Sequence, residues 1–425
     1  MPEIILSINA GSSSVKISVY KTPSNSSSSS STTTPIQLAE ATVEGLTAPP
    51  AKLNYKRGPE TIIGREIQNV ASQEDGFRCI LEHLTADDGL VELQKMEDID
   101  FTCHRVVHGG DYPRSQIIDS KTYHHIEALS DLAPLHNAPA LSIVRAVARM
   151  LPHAKNIAYF DSAFHATLPN HINTYPIDPA VAQQNKLRKY GFHGLSYAFI
   201  VRAVAAHLAK PVHSLNLIAL HLGSGASACC IRGGQSLDTS MGLTPLAGLP
   251  GATRSGSIDP SLIFHFTHAA GKPSRSSSAH MHITQAEDIL NKKSGWSSLT
   301  GTTDFGAISA SEREADVLAF RILVDRVVNY VAPYFVKLEG EVDALVFAGG
   351  IGEKGARLRG EVVRAVGCLG FALDERRNGG EVGDEVVTDI SARDARFKTL
   401  VVKTDEQLEM AREVLVDKNR IVGRE

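Results

Sequence analysis

At 425 residues the chain is too long for one ordinary core, so two domains are expected, three at most. Its 43% hydrophobic and 21% charged residues sit in the globular range and exclude a disordered or fibrous protein. Against 47 Asp and Glu there are 43 Lys and Arg, a net charge of −4, which argues against a basic face for nucleic acid.

The first residues, MPEIILSINAGSSS, carry no positive leader, and no apolar run nears the roughly 20 residues of a membrane span. Residues 4–20 read as apolar strand, small-residue turn and second strand. Residues 23–35 (PSNSSSSSSTTTP) cannot bury apolar surface and are expected to form a mobile loop. They lie between strand-like runs at 15–20 and 36–43, as the tip of an expanded hairpin. Buried strands are expected at 100–107 and 156–161. A helix is expected over 139–151, with Pro139 just inside its start, and another over 196–208 capped by Ser196. Residues 217–231 repeat the opening pattern, LIALHL-GSGAS-ACCI. A second Ser-rich surface loop is expected at 272–279, the longest helical period spans 315–336, and an apolar strand at 343–348 exits into GGIGE. The fold class is α/β.

A nucleotide loop of the Rossmann or P-loop kind places a helix after its glycines. Here β-branched residues follow instead, so a phosphate would be cradled by hairpin N–H groups. Two such hairpins about two hundred residues apart, with the glycine-rich exit at 349–352, suggest two related halves closing over a nucleotide.

Several polar residues stand at strand ends or in loops. Arg105 lies in HRVVHGG; His104 and His108 flank it, but in a strand they stand roughly 13 Å apart, too far to share a metal. His136 lies between two prolines. Asp161 ends a strand, where it suits an active-site carboxylate and equally the N-cap of the following turn. His193 sits in YGFHG, Lys16 on the second strand of the first hairpin. Arg254 lies in GATRSGSIDP and is either exposed or aimed at an anion. The five cysteines are odd in number and form no C-x-x-C, which fits a reducing cytoplasm.

Nine motifs in one order now carry a resemblance: SINAGSSSVK, CHRVVHGG, LAPLHN, YFDSAFHATLP, YGFHGLS, HLGSGAS, MGLTPLAGLPGATRSGSIDP, FAGGIGE and TDEQL. Together, over nearly the whole chain, they resemble the acetate kinase (acetokinase) family. The resemblance implies two ribonuclease H-like, actin-like domains related by duplication, with a cleft between them. The first would take residues 1–164 plus 408–425, on the acetate side. The second, 165–407, would bind nucleotide and form a homodimer.

The implied reaction is reversible transfer of the ATP γ-phosphoryl group to acetate, with Mg²⁺ or Mn²⁺. Carried over motif by motif, Asn9 and Glu406 would hold the metal, and Ser12, Ser14 and Lys16 would lie along the phosphates. Arg105 would meet the acetate carboxylate, with Val107, Leu135, His136 and Pro245 around the acid. Asp161 would be the active-site acid group, and His193 and Arg254 would stabilise the transition state. The nucleotide would lie against His221, Leu222, Gly223, Ser224 and Gly225, against Asp304, Phe305 and Gly306, and against Gly350, Ile351, Gly352, Glu353 and Lys354.

This chain departs from the family pattern at Ser224, where Asn is usual, at Gly306, where Arg is usual, and at Lys354, where Asn is usual. All three fall on the nucleotide side, so pyrophosphate or another donor remains an alternative to ATP. So does a longer acid, propionate or butyrate, because one methylene changes discrimination by only about 1–3 kcal/mol. A nucleotide-gated binding protein on the same fold is the alternative from another class.

Overall fold

Two hairpins open two sheets. The computed structural model describes residues 2–11, 13–23, 34–129, 134–277, 283–380, 383 and 385–423, with backbone alone at 134–136. Most of the Ser-rich tip, 24–33, the end of the second Ser-rich patch, 278–279, and Ser12 therefore lie outside the described residues.

In the first sheet β1 (Ile4–Ala10) and β2 (Ser14–Lys21) pair antiparallel, with Asn9 opposite Lys16. The strands β3 (Ile36–Glu44), β4 (Ala51–Arg57) and β5 (Glu60–Ile67) continue the antiparallel meander. On the other side of β1 the pairing turns parallel, with β6 (Ile99–Val106). Beyond it β7 (Gln116–Ile117) forms an antiparallel edge on β8 (Lys155–Phe160), which itself runs parallel to β6. The order is β5-β4-β3-β2-β1-β6-β8-β7.

The second sheet holds β9 (Leu217–Leu222), β10 (Ala226–Arg232), β11 (Gln235–Thr239), β12 (Ala344–Ala348), β13 (Val387–Asp389) and β14 (Lys398–Val402). Its order, β11-β10-β9-β12-β14-β13, repeats the run β3-β2-β1-β6-β8-β7 strand for strand. The antiparallel and parallel pairings match as well. The architecture is thus α/β and duplicated, although the two sequences share little beyond the hairpin pattern.

The central parallel strands are apolar without alternation because helices cover both faces; all five residues of β12, ALVFA, are buried. In the first unit helices Gln73–Thr85 and Pro134–Met150 bury Phe77, Ile80, Ile143 and Val147 against Ile8, Val15 and Ile17. In the second, helix Glu314–Lys337 lays Phe320, Leu323, Val327 and Val331 along one face, at helical spacing, onto Ile218, Leu220 and Phe347.

By chain contacts the molecule divides into Met1–Ala163 with Asp405–Glu425, and Phe164–Thr404. The returning helix Glu406–Val416 packs on β1. Gln407 anchors it: its Nε2 donates to the Ser7 carbonyl at 2.8 Å, and the Ser7 hydroxyl donates to the Gln407 carbonyl at 2.8 Å.

Two local expectations need correction. The helix expected from 139 starts at Pro134, so Pro139 lies inside it and forfeits one bond to an i−4 carbonyl. Ser196 is not a cap but a buried residue of helix Gly194–His207, whose N-cap is His193 in the left-handed region at φ 61°. The glycine-rich exit after β12 forms a short helix, Gly349–Lys354.

Gly349 makes that sharp entry possible. Its φ is 72°, and a Cβ would fall 2.7 Å from the Leu222 carbonyl oxygen, a backbone atom with nowhere to go. Gly349→Ala should therefore lower stability by about 2–4 kcal/mol, read as a fall in thermal midpoint. An unchanged midpoint would contradict this account of the turn.

Candidate active site

In the first unit parallel pairing carries the C-terminal ends of β6 and β8 to one edge of the sheet, and with them Arg105 and Asp161. Asp161 follows β8 directly, its N–H donating to the Val106 carbonyl at 3.0 Å. Arg105 grips it twice: Nη2 donates to Oδ2 at 2.8 Å, and Nε lies 3.2 and 3.3 Å from the two carboxylate oxygens. The Asp161 side chain is 2% exposed and that of Arg105 19%. Burial alone disfavours the Arg105 cation, but Asp161 and then Glu406 outweigh it and raise its pKa. Nη1 of Arg105 has no hydrogen-bond acceptor among the described residues. This geometry sets the Asp161 carboxylate against an arginine, and Ser162, not Asp161, immediately precedes the short helix Ala163–Thr167.

Val107 follows Val106, the last residue of β6, at the strand exit. The side chains of Leu135 and His136 lie outside the described residues. Their neighbour Asn137, which sequence reasoning did not single out, is fully buried and locks onto the chain after β6. Its Oδ1 accepts from the His108 N–H and its Nδ2 donates to the His108 carbonyl, both at 3.0 Å. Asn137 and the HRVVHGG segment are thus tied together, a link hinted at only by the asparagine closing the motif LAPLHN. His104 and His108 have separate partners, the Asn156 side-chain oxygen Oδ1 at 3.0 Å and the Gly110 N–H at 3.0 Å.

Asn9 and Lys16 face each other across the β1–β2 hairpin, and Gly11 N–H donates to the Ser14 carbonyl to close its turn. With Ser14, Glu40 and Thr42 they line a basin of about 560 Å³. Lys16 Nζ lies 3.5 Å from Glu40. Glu406 opens the returning helix behind Asp405, whose Oδ1 accepts from the Leu408 N–H at 2.8 Å. Gln407 Nε2 reaches towards the Lys16 carbonyl at 3.4 Å, so Glu406 is tethered beside the hairpin that carries Asn9. An amide oxygen and a carboxylate are hard donors of the kind Mg²⁺ or Mn²⁺ takes, and such ions keep much of their shell for water and phosphate.

In the second unit His193 occupies a backbone conformation uncommon for any residue with a side chain. Its Nδ1 lies 2.8 Å from the Ser227 hydroxyl, which also meets the Tyr197 hydroxyl at 2.5 Å. The His193 ring packs on His221 at 4.4 Å between centroids. Behind it, His165 is held between Ser236 at 2.8 Å and the Phe192 carbonyl at 3.0 Å. Burial pushes the His165 pKa down to about 4, so at neutral pH the ring is uncharged and serves as a strut. Ser227, Tyr197 and His165 were missed in the sequence because their roles depend on contacts far along the chain.

Arg254 lies against the second hairpin. An ideal Cβ on Gly225 would fall 1.9 Å from its Nη2, so the guanidinium occupies space that only glycine leaves open. The Ser224 carbonyl accepts from Ala252 N–H at 2.8 Å, tying the two loops. Arg254 Nη1 donates to the Pro245 carbonyl at 3.4 Å, and no carboxylate lies within ion-pair distance among the described residues. Burial lowers its pKa, though an arginine remains charged at neutral pH.

Gly223, Ser224, Asp304, Phe305, Gly306, Gly350, Ile351 and Lys354 come together around a single cavity of about 670 Å³. Asp304 also caps helix Phe305–Ala310, its Oδ1 accepting from Gly306 and Ala307 N–H. His221, Leu222, Gly225, Gly352 and Glu353 do not line this cavity. Leu222 points into the core instead, and Gly352 is buried under Phe347. The Gly352 and Glu353 carbonyls accept from Arg359 Nη1 at 2.8 and 2.7 Å. Arg357, on the cavity wall, was not anticipated.

Two sheets of one strand order, one ending in an Arg–Asp pair and the other in a glycine hairpin against a lone arginine, define a duplicated, actin-like phosphotransferase. The profile of the Acetokinase family matches residues 4–412. A protein named "Probable acetate kinase" from Chaetomium globosum is 52% identical, with 97% of each chain covered. Among solved structures, a propionate kinase from Francisella tularensis superposes with a TM-score of 0.82 at 32% identity, over 97% of this chain and 98% of the other. The Porphyromonas gingivalis acetate kinase gives 0.81 at 30%, over 97% and 99%. The chain belongs to the acetokinase family.

Gly225→Ala tests the placement of Arg254. Gly225 is not in the left-handed region, so backbone strain is not at issue, and the added methyl should simply push the guanidinium aside. Turnover should fall about 10- to 100-fold with the thermal midpoint nearly unchanged. Wild-type turnover in the variant would show that the observed position of Arg254 is not the working one.

Proposed function

We propose that this protein transfers the γ-phosphoryl group of ATP to acetate, reversibly, giving acetyl phosphate and ADP by direct in-line displacement. The observation that carries the reading is Arg254, a partly desolvated guanidinium with no carboxylate partner among the described residues, set beside a glycine hairpin. Such a cation is stabilised by an incoming anion, and the planar fork suits phosphoryl oxygens.

Acetate is ionised at neutral pH and needs no base to become a nucleophile. What the protein must supply is position and positive charge, since both reactants are anions. Arg105 would take the acetate carboxylate, with Asp161 holding the guanidinium plane in a fixed orientation. Val107, Leu135 and Pro245 would surround the methyl group, with His136 also binding the acid. Arg254 and His193 would meet the oxygens of the transferring phosphoryl group, His193 being oriented through Ser227. Ser12, Ser14 and Lys16 would lie along the phosphates, and the 670 Å³ cavity would take the nucleoside. Mg²⁺, or Mn²⁺, would be held by Asn9 and Glu406, and when bound it would neutralise phosphate charge.

Among the described residues no helix is long and apolar enough to cross a membrane. All five cysteines are unpaired thiols. These features support a cytoplasmic enzyme, and the family resemblance supports a homodimer. Propionate as acceptor is a second reading, favoured by the likeness to the propionate kinase.

Trapping acyl phosphate with hydroxylamine tests the proposal. Hydroxamate should form with acetate, ATP and Mg²⁺, and no product with ATP or pyrophosphate would leave the binding-protein reading in its place. A series of kcat/KM values over acetate, propionate and butyrate assigns the acceptor. Arg254→Ala should lower kcat about 10²- to 10³-fold while acetate KM changes little. Equal kcat in the two proteins would remove Arg254 from the transition state.

A further inference from the structure

The nucleoside cavity contains one guanidinium that the reading above leaves unused. Arg357 is the second residue of helix Ala356–Ala365 and lies on the cavity wall with Ser309, Ala310 and Ile351. Its guanidinium sits 4.4 Å from the centroid of the Phe320 ring. Nη1 also donates to the Ser309 carbonyl. A ring below and a carbonyl at one edge fix the plane of the group. The ring is itself rigidly seated, stacked on Phe305 at 5.9 Å, which in turn meets Trp296 edge-on at 5.1 Å.

The space around this plane suits a flat ligand. Gly306, Gly350 and Gly355 line the same cavity without side chains. A Cβ on Gly350 would meet nothing within 4 Å, and one on Gly306 only the Asp304 carboxylate at 3.1 Å. The cavity volume lies within the range of small-molecule sites. A guanidinium with one face on an aromatic ring can stack its other face on a second π-system, because it is weakly hydrated and planar.

We infer that Arg357 stacks on the base of the nucleotide donor and makes the cavity selective for a purine nucleotide over base-free polyphosphates. The inference deepens the reading above and rests on it for the identity of the donor. Arg357 is a binding residue here, remote from the phosphoryl group, so its loss should act on nucleotide affinity and leave chemistry alone.

Calorimetric titration of ADP into the full chain, beside steady-state kinetics, tests this with two variants at an exposed position that should both fold. Arg357→Ala should weaken ADP binding and raise the ATP KM about 5- to 30-fold, with acetate KM and saturating kcat changed less than about threefold. Arg357→Lys keeps the charge but not the plane and should resemble the alanine variant. ADP affinity within about twofold of wild type in Arg357→Ala, or full recovery in Arg357→Lys, would overturn the stack. A fall in kcat as large as the rise in ATP KM would also overturn it, since it would mean that Arg357 braces the fold or the chemistry. The two readings fail separately: a wild-type protein that binds ADP in this manner yet forms no acyl phosphate sinks the kinase reading alone.

Discussion

A guanidinium taken out of water without a counter-charge is costly, and the second unit is built to keep one that way. Arg254 is half-buried against the Gly225 turn, with one long bond to a carbonyl and no carboxylate at ion-pair distance among the described residues. Pairing it with Asp or Glu would relieve the desolvation but would also quench its attraction for any other anion. The local architecture follows from this requirement: glycine at 225 to admit the side chain, Ala252 bonded to the Ser224 carbonyl to hold the loops, and Pro245 alongside.

Arg105 solves the opposite problem. Its cation is fully compensated by Asp161, and the bidentate contact uses Nε and Nη2 while leaving Nη1 without a partner among the described residues. An arginine held in this way acts as a fixed plane rather than a mobile charge. In the same chain one arginine is oriented by an acid and the other is left hungry for an anion. That division matches an acceptor that must be positioned and a transferring group whose charge must be met.

Duplication explains why such different tasks use similar geometry. In both sheets the antiparallel hairpin supplies a turn of small residues, and the adjacent parallel strands end at one edge. In the first sheet that edge presents Arg105 and Asp161; in the second, β12 leads through Gly349 into the short helix that lines the cavity. The departures at Ser224, Gly306 and Lys354 all fall around this cavity.

Strand positions, hairpins and the long helix were legible in the sequence, because buried parallel strands read as continuous apolar runs and turns need glycine and serine. The ordered motifs were enough to indicate the family. The sequence misled where local patterns compete: Pro139 and Ser196 look like helix starts, yet core packing extends both helices towards their N-termini. The spacing of residues could not reveal that Asp161 belongs to Arg105 across 56 positions, that Asn137 clamps His108, or that Arg357 comes to lie on Phe320. Residue chemistry is written locally and so determined which groups exist. Which of them share a charge, a hydrogen bond or a cavity wall was decided only when the sheets brought distant strand ends within a few ångströms, where such interactions have their strength.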